Sequence, residues 1–272
     1  MVEIKHILSW IDDYAPFRYC AEWDNCGLQV GDPHAWVNSL LIALDITSGT
    51  LREALEAGCK AVVAHHPLLF RPQKTLRTDV FPGKLIAEAV RHDIQLIAAH
   101  TNLDAARNGV NSHLAACMEL QDLKPLETDD RWLDEPDYGG MGRVGHLPSA
   151  CRLEDLATRL ASILGGNDVR FVGDGDQRVR RVAVCSGSGG SLLSTALEAR
   201  CDVYVTGDIK YHEAQSAKEA GIGLIDVGHF ASEFIIVEPL ASYLRNRARR
   251  EGVDLEVRTS KQEVSPFQPI VV

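Results

Sequence analysis

An adjacent histidine pair closes an apolar run, Ala61-Val62-Val63-Ala64-His65-His66-Pro67. Imidazole is a common ligand for divalent transition metals, and side chains leaving the carboxyl end of a buried strand stand where α/β folds usually bind ligands. Two further segments share this design: Gln95-Leu96-Ile97-Ala98-Ala99-His100-Thr101-Asn102-Leu103-Asp104 and Gly223-Leu224-Ile225-Asp226-Val227-Gly228-His229. Each runs from apolar residues straight into His or Asp. Three strand ends delivering imidazoles and carboxylates to one rim would make a metal centre.

In extended backbone His65 and His66 point in opposite directions, so the simplest arrangement gives one to each of two neighbouring ions. Pro67 keeps His66 extended. His229 and Glu233 lie one helical turn apart at the start of an expected helix, close enough to share a metal. A glutamate can bridge two cations with its two oxygens, at the separation of roughly 3.5–4 Å typical of two-metal hydrolases. Either Asp104 or His100 could reach the ions. The acid is the better direct ligand because two cations need negative charge, which leaves His100 to orient a ligand or shuttle protons.

A different signal is Val184-Cys185-Ser186-Gly187-Ser188-Gly189-Gly190-Ser191, a glycine-rich turn between a strand and a helix. Amides at Gly187, Gly189 and Gly190 could hold a phosphate or carboxylate, although the turn is neither a Walker motif nor a full dinucleotide fingerprint, and tight strand-to-helix packing also accounts for it. Thr206-Gly207-Asp208-Ile209-Lys210-Tyr211-His212 offers polar groups at another strand end. Asp208, Tyr211 and His212 are candidates to orient ligands or face a substrate, with His212 joining His100 as a candidate catalytic side chain.

These residues need strands and helices to hold them. Ile4, Ile7, Leu8 and Ile11 have helical spacing within Val2 to Tyr14. A turn-rich stretch from Glu22 to Asp32 then precedes a strand from Ser39 to Leu44 and a helix capped by Thr47 or Ser48 and ended by Gly58. Strands at Ala61–Ala64 and Gln95–Ala99 alternate with helices near Gly83–His92 and Asn108–Met118, the rhythm of a layered α/β/α architecture. From Leu120 to Gly142 the pattern gives way to Pro, Asp, Glu and Gly, which marks a linker or insertion point. A second alternation follows: strand at Gly142–Leu147, helix Leu153–Leu164, strands Val169–Val172 and Val179–Cys185, helix Leu192–Ala199, strand Asp202–Thr206, helix His212–Ala220 and strand Leu224–Val227. A long closing helix from about Ala231 to Arg250 completes it. The expectation is two packed α/β subdomains: residues 1–123 with 222–272, and residues 124–221.

Hydrophobic residues at 45% and charged residues at 24% disfavour disorder. No stretch reaches the roughly 18 apolar residues that a membrane-spanning helix needs. The opening Met-Val-Glu-Ile-Lys-His lacks a basic segment followed by an apolar one, which points to the cytoplasm. A formal charge of -10 disfavours a general nucleic-acid-binding surface. The local exception, Arg245-Asn246-Arg247-Ala248-Arg249-Arg250, suits the solvated carboxyl end of a helix. Seven cysteines without a C-x-x-C pair read as small buried residues in a reducing compartment rather than disulfides or a zinc cluster.

Several motifs together resemble a known family. They are Trp23-Asp24-Asn25-Cys26-Gly27-Leu28-Gln29-Val30-Gly31, His65-His66-Pro67-Leu68-Leu69-Phe70, His100-Thr101-Asn102-Leu103-Asp104, Gly187-Ser188-Gly189-Gly190-Ser191, Thr206-Gly207-Asp208 with Tyr211-His212, and Asp226-Val227-Gly228-His229 with Glu233. In this order they resemble the dinuclear-metal proteins named after NGG-one-interacting factor three, also called type-two GTP cyclohydrolase I. The resemblance implies His65, His66, Asp104, His229 and Glu233 as ligands, with Glu233 bridging. It also implies a toroidal homohexamer whose metal sites face the inner cavity, with the metal site between the two packed α/β subdomains. Some members carry an inserted domain between their halves, and the stretch from Leu120 to Gly142 is too short for one.

The expected function is that of a metal-dependent hydrolase holding two divalent ions per chain, in which a metal-activated water attacks a nucleotide or small phosphoester. Zinc, iron, manganese and nickel all suit imidazole with carboxylate. The alternative is a metal-binding scaffold or regulator without turnover. A ring enclosing nucleic acid fits the negative charge poorly.

Overall fold

The computed structural model describes residues 1–128, 139–165 and 169–268. The chain is α/β and divides into two compact units, Met1–Leu103 with Ile236–Val264 and Asp104–Ile235 with Ser265–Val272.

In the first unit β4 (Ser39–Ala43), β5 (Ala61–Ala64), β6 (Gln95–Ala98) and β13 (Glu256–Thr259) run parallel, and β2 (Gly27–Val30) adds an antiparallel edge. The sheet order is β13-β4-β5-β6-β2. β1 (Val2–Glu3) and β3 (Trp36–Val37) form a separate small ribbon. Around them lie α1 (Ile4–Tyr14), α2 (Ser48–Glu56), α3 (Gly83–Arg91) and α10 (Val237–Arg250). All of β4, β5 and β6 is buried, as their runs, apolar apart from Ser39 and Gln95, require of strands covered on both faces. Thr47 caps α2: its hydroxyl accepts from Thr50 N, while Thr50 Oγ1 accepts from Thr47 N. The short helix α4 (Thr101–Ala105) follows β6, and the division between units falls inside it.

The second unit holds a six-stranded sheet. Its order is β7 (Gln121–Glu127), β8 (Met141–Arg152), β10 (Arg178–Ser188), β11 (Val203–Gly207), β12 (Gly223–Asp226) and β9 (Arg170–Val172). β10, β11 and β12 are parallel neighbours and the rest pair antiparallel. Val182 and Val184 enter one apolar cluster, whereas Ala183 and Cys185 enter another. That alternation covers both faces of the sheet. The helices are α5 (Val110–Cys117), α6 (Leu153–Leu164), α7 (Leu193–Glu198), α8 (Tyr211–Ala220) and α9 (His229–Phe234).

Three expectations are corrected. The division falls at Leu103/Asp104 and Ile235/Ile236 rather than at 123/124 and 221/222, because β12 pairs with β11 and α5 packs into the same apolar cluster as Val182. Gln121–Glu127, placed in the linker, is an edge strand on β8, where Pro125 is tolerated. The rest of that linker, 129–138, lies outside the described residues. The closing helix is two helices, broken at Ile235–Ile236. Pro239 explains the break: it cannot donate to Ile235 O, and its ring would clash there in a continuous helix, whereas the first turn of α10 accepts it. Among the described residues no helix is long and apolar enough to cross a membrane.

Candidate metal centre

In the first unit, β5 leads into His65 and His66, and its parallel neighbour β6 leads to His100. One ring nitrogen from each of the three lies within 4.8 Å of the others. Each ring is held from its far side. His65 Nδ1 meets Ala99 O at 2.8 Å, His66 Nδ1 meets Asp45 Oδ1 at 2.9 Å, and His100 Nδ1 meets Asp24 Oδ1 at 2.9 Å. These carbonyl and carboxylate oxygens accept, so Nδ1 carries a proton in each ring and Nε2 is the atom on the other side.

The acceptors are themselves fixed. Glu263 accepts Leu44 N and Asp45 N, the latter at 2.7 Å, and so anchors the turn that presents Asp45. Burial pushes the Glu263 carboxyl up against the pull of those amides. The Asp24 side chain has no solvent exposure, and its Oδ2 accepts Thr101 N at 3.1 Å and Thr101 Oγ1 at 2.6 Å. Burial would raise Asp24, but the bond and charge of His100, with Thr101 and Asn25 N, hold it well below the usual carboxylate range.

In the second unit, α9 carries His229 and Glu233 on one face, with Nε2 and Oε2 3.0 Å apart. His229 Nδ1 donates to Asp208 Oδ2 at 2.7 Å. Ser232, one position before Glu233, donates to His229 O and accepts Gly187 N, which ties the glycine turn to α9. Gly187 has φ +63°, and a Cβ there would stand 2.0 Å from Glu233 Oε1 and 3.3 Å from His229 Nε2. This glycine leaves the space that the Glu233 carboxylate fills.

Asp104 is also buried in this unit. Asn111 Nδ2 donates to its carbonyl at 3.1 Å, and Asn111 Oδ1 accepts Ser186 N at 2.8 Å. The buried Arg143 guanidinium donates to Ala105 O, Ala106 O, Gly140 O and Gly142 O, fixing the turn after Asp104. Burial lowers Arg143 to about 10, with Asp104 opposing, so it stays a cation at neutral pH.

The donor chemistry fits divalent ions. With its Nδ1 donating to Asp208, a neutral His229 would turn a lone pair toward a Glu233 oxygen 3.0 Å away. Two acceptors at that distance repel unless a second ring proton or a cation offsets them. Bonds of about 2.0–2.2 Å to a shared ion put neighbouring N and O ligands at about this separation.

The other expected residues separate. Gly187 N and Gly189 N donate to Ser232 Oγ and Thr206 Oγ1, and a Cβ on Gly190 would meet the Glu213 carboxylate at 2.5 Å. The anion-loop expectation for Gly187, Gly189 and Gly190 therefore gives way to tight packing, with two of its amides already engaged. His212 is exposed on the first turn of α8, its ring edge-on to Tyr211. Sequence reasoning gave no role to Asp24, Asp45 or Arg143. Each acts on a residue far along the chain, and periodicity cannot show such a contact.

Residues 2–266 match the family described as Duf34/NIF3 (NGG1p interacting factor 3). The chain belongs to this family. A curated member from Clostridium perfringens called "GTP cyclohydrolase 1 type 2 homolog" is 31% identical, over 98% of this chain and 99% of its own length. A crystal structure of a hypothetical protein from Staphylococcus aureus superposes with TM-score 0.91 at 32% identity, covering 98% of this chain and 99% of that one. Reduced HcgD from Methanocaldococcus jannaschii superposes at 0.79 with 29% identity, covering 96% and 98%. Membership of the Duf34/NIF3 family accords with the motif order from Trp23 to Glu233.

Proposed function

We propose that this Duf34/NIF3 chain is a cytoplasmic metal-dependent hydrolase whose His65, His66, Asp104, His229 and Glu233 hold two divalent ions, with Glu233 bridging. The observation that carries the reading is the way the histidines are held: His65, His66 and His229 each have Nδ1 bonded to an oxygen acceptor, which makes Nε2 the atom that would bind an ion. The carboxylates of Asp104 and Glu233 supply the negative charge that two divalent ions need. Bound ions would supply Lewis acidity, polarising an electrophile and making water acidic enough to attack near neutral pH.

His100 is the residue for proton movement. Its Nδ1 is committed to Asp24, and its side chain is 16% exposed. In the neutral ring, Nε2 would take a proton from an attacking water and return it to a leaving group. His212, on the exposed turn of α8, is left out of this assignment.

The exposed rings of Trp23 and Phe70 stand edge-on to His100, with centroids 6.5 and 6.2 Å away. They offer an apolar surface to a planar group such as a nucleotide base, which favours a small organic substrate. The proposed assembly is a homohexameric ring, as the family resemblance implies. The test is hydrolysis of a panel of nucleotides and small phosphoesters by metal-loaded protein. Turnover lost on chelation and in His65→Ala, with folding retained, is the expected result. An inert panel with both ions bound would favour the scaffold reading instead.

A further inference from the structure

The loop between α1 and β2 carries Cys20, Asp24 and Cys26. Their spacing is not that of a zinc motif, yet the fold gathers them. One ligand atom from each lies within 4.8 Å of the other two. Cys26 Sγ is 3.2 Å from Asp24 Oδ2, and Cys20 Sγ is 3.7 Å from the same oxygen. With metal–sulfur bonds of about 2.3 Å and metal–oxygen bonds of about 2.1 Å, a tetrahedral ion places S and O about 3.6 Å apart. The observed pair brackets that distance.

We propose that Cys20, Asp24 and Cys26 form a separate cation site for a thiophilic divalent ion of the zinc or cadmium type. It goes beyond the imidazole and carboxylate centre and uses none of its five ligands. Two further observations support it. The backbone amides of His100 and Asn102 point at the Cys26 sulfur, an arrangement that stabilises a thiolate. Both cysteines are only partly buried, so an ion has a path to them.

Binding is a proton exchange: one M2+ displaces the protons of two thiols, forming two metal–sulfur bonds and releasing two H+. Without an ion, burial pushes the Cys26 thiol well up, with the Cys20 contact adding to it, and both thiols donate to Asp24. Three protein donors leave a fourth position for solvent. Asp24 also joins this site to the imidazole cluster, because its Oδ2 faces the thiols and its Oδ1 accepts from His100.

The experiment is a cadmium titration of the full chain in a thiol-free reductant, following the ultraviolet sulfur-to-cadmium charge-transfer band that imidazoles and carboxylates do not produce. The band should saturate at about one ion per chain, persist in His65→Ala, and fall by about tenfold in Cys20→Ser and in Cys26→Ser. No band in the wild-type chain, or an undiminished band in the double serine variant, would overturn the site. A second measurement needs no substitution: zinc should slow alkylation of Cys20 and Cys26, read by peptide mapping, relative to the other five cysteines. Equal labelling with and without zinc would also overturn it. Both readouts are blind to hydrolysis, so their failure is distinct from failure of the proposed function.

Discussion

His229 Nε2 lies 3.0 Å from Glu233 Oε2 while His229 Nδ1 is bonded to Asp208 Oδ2 at 2.7 Å. The second contact engages the Nδ1 proton, so the first brings Nε2 up to a carboxylate, a contact that a second ring proton or a shared cation must offset. That juxtaposition suits a shared cation. Removing the bridge should disturb both ions together: Glu233→Gln is expected to lower affinity at both positions, and Asp104→Asn chiefly at one. Competition titrations with a chromophoric chelator read the two affinities. Loss of one ion in Glu233→Gln with the other at full affinity would show a terminal ligand.

Gly187 gives way to Glu233, since a Cβ would fall 2.0 Å from Oε1. Gly187→Ala should therefore displace the carboxylate and weaken metal binding by about tenfold or more, on top of the strain of an L residue at φ +63°. Gly189→Ala, where the Cβ would meet Thr206 Oγ1 at 2.4 Å and Tyr204 OH at 2.5 Å, is expected to cost about 1–3 kcal/mol of stability and spare the ions. Urea unfolding with parallel metal analysis separates the two. Equal metal loss in both variants would contradict the spatial account.

The oxygens behind the histidines should matter nearly as much as the ligands. Asp45→Asn and Asp208→Asn keep the shape but replace a carboxylate acceptor with an amide, and each is expected to weaken metal binding by about 10–100-fold. Circular dichroism should show an unchanged fold. Wild-type affinity in both variants would show that ring orientation is set elsewhere.

Asp24 gives a dependence on pH. Its folded carboxyl is held below the ordinary value despite burial, chiefly by His100. A depressed carboxyl contributes stability that is fully present above the unfolded value of about 4 and is lost as pH falls through the folded one. Asp24→Asn should cost about 1–3 kcal/mol at neutral pH and flatten the loss between about pH 5 and about pH 2. Urea midpoints across that range check it, and parallel curves for the two proteins would contradict it.

The strands that present the histidines were legible because β5, and β6 after Gln95, are apolar runs that lead into polar residues. The helix from Leu153 to Leu164 was legible from its period, and it runs over those same residues. Other elements left weaker signals. β13 is a short alternating Glu-Val-Arg-Thr whose strand character comes from pairing with β4, more than 200 residues away. α4 is a five-residue helix, too short for periodicity to register. The ligand types could be read at strand ends, but Asp24 and Asp45 could not, since each meets its histidine only after the sheet has formed. The glycine turn left two readings open for the opposite reason: its composition suits an anion as well as tight packing, and only the neighbouring Ser232 and Thr206 reveal that two of its amides are taken.

The central claim is two ions per chain, and elemental analysis of the full-length protein reconstituted with zinc, iron or manganese tests it most directly. The chain should be run with Cys20→Ser and Cys26→Ser in place, so that a thiolate-bound ion is not counted. The expected content is two divalent ions per chain, removed by chelation and diminished in His65→Ala. A reproducible content of one or none would contradict it.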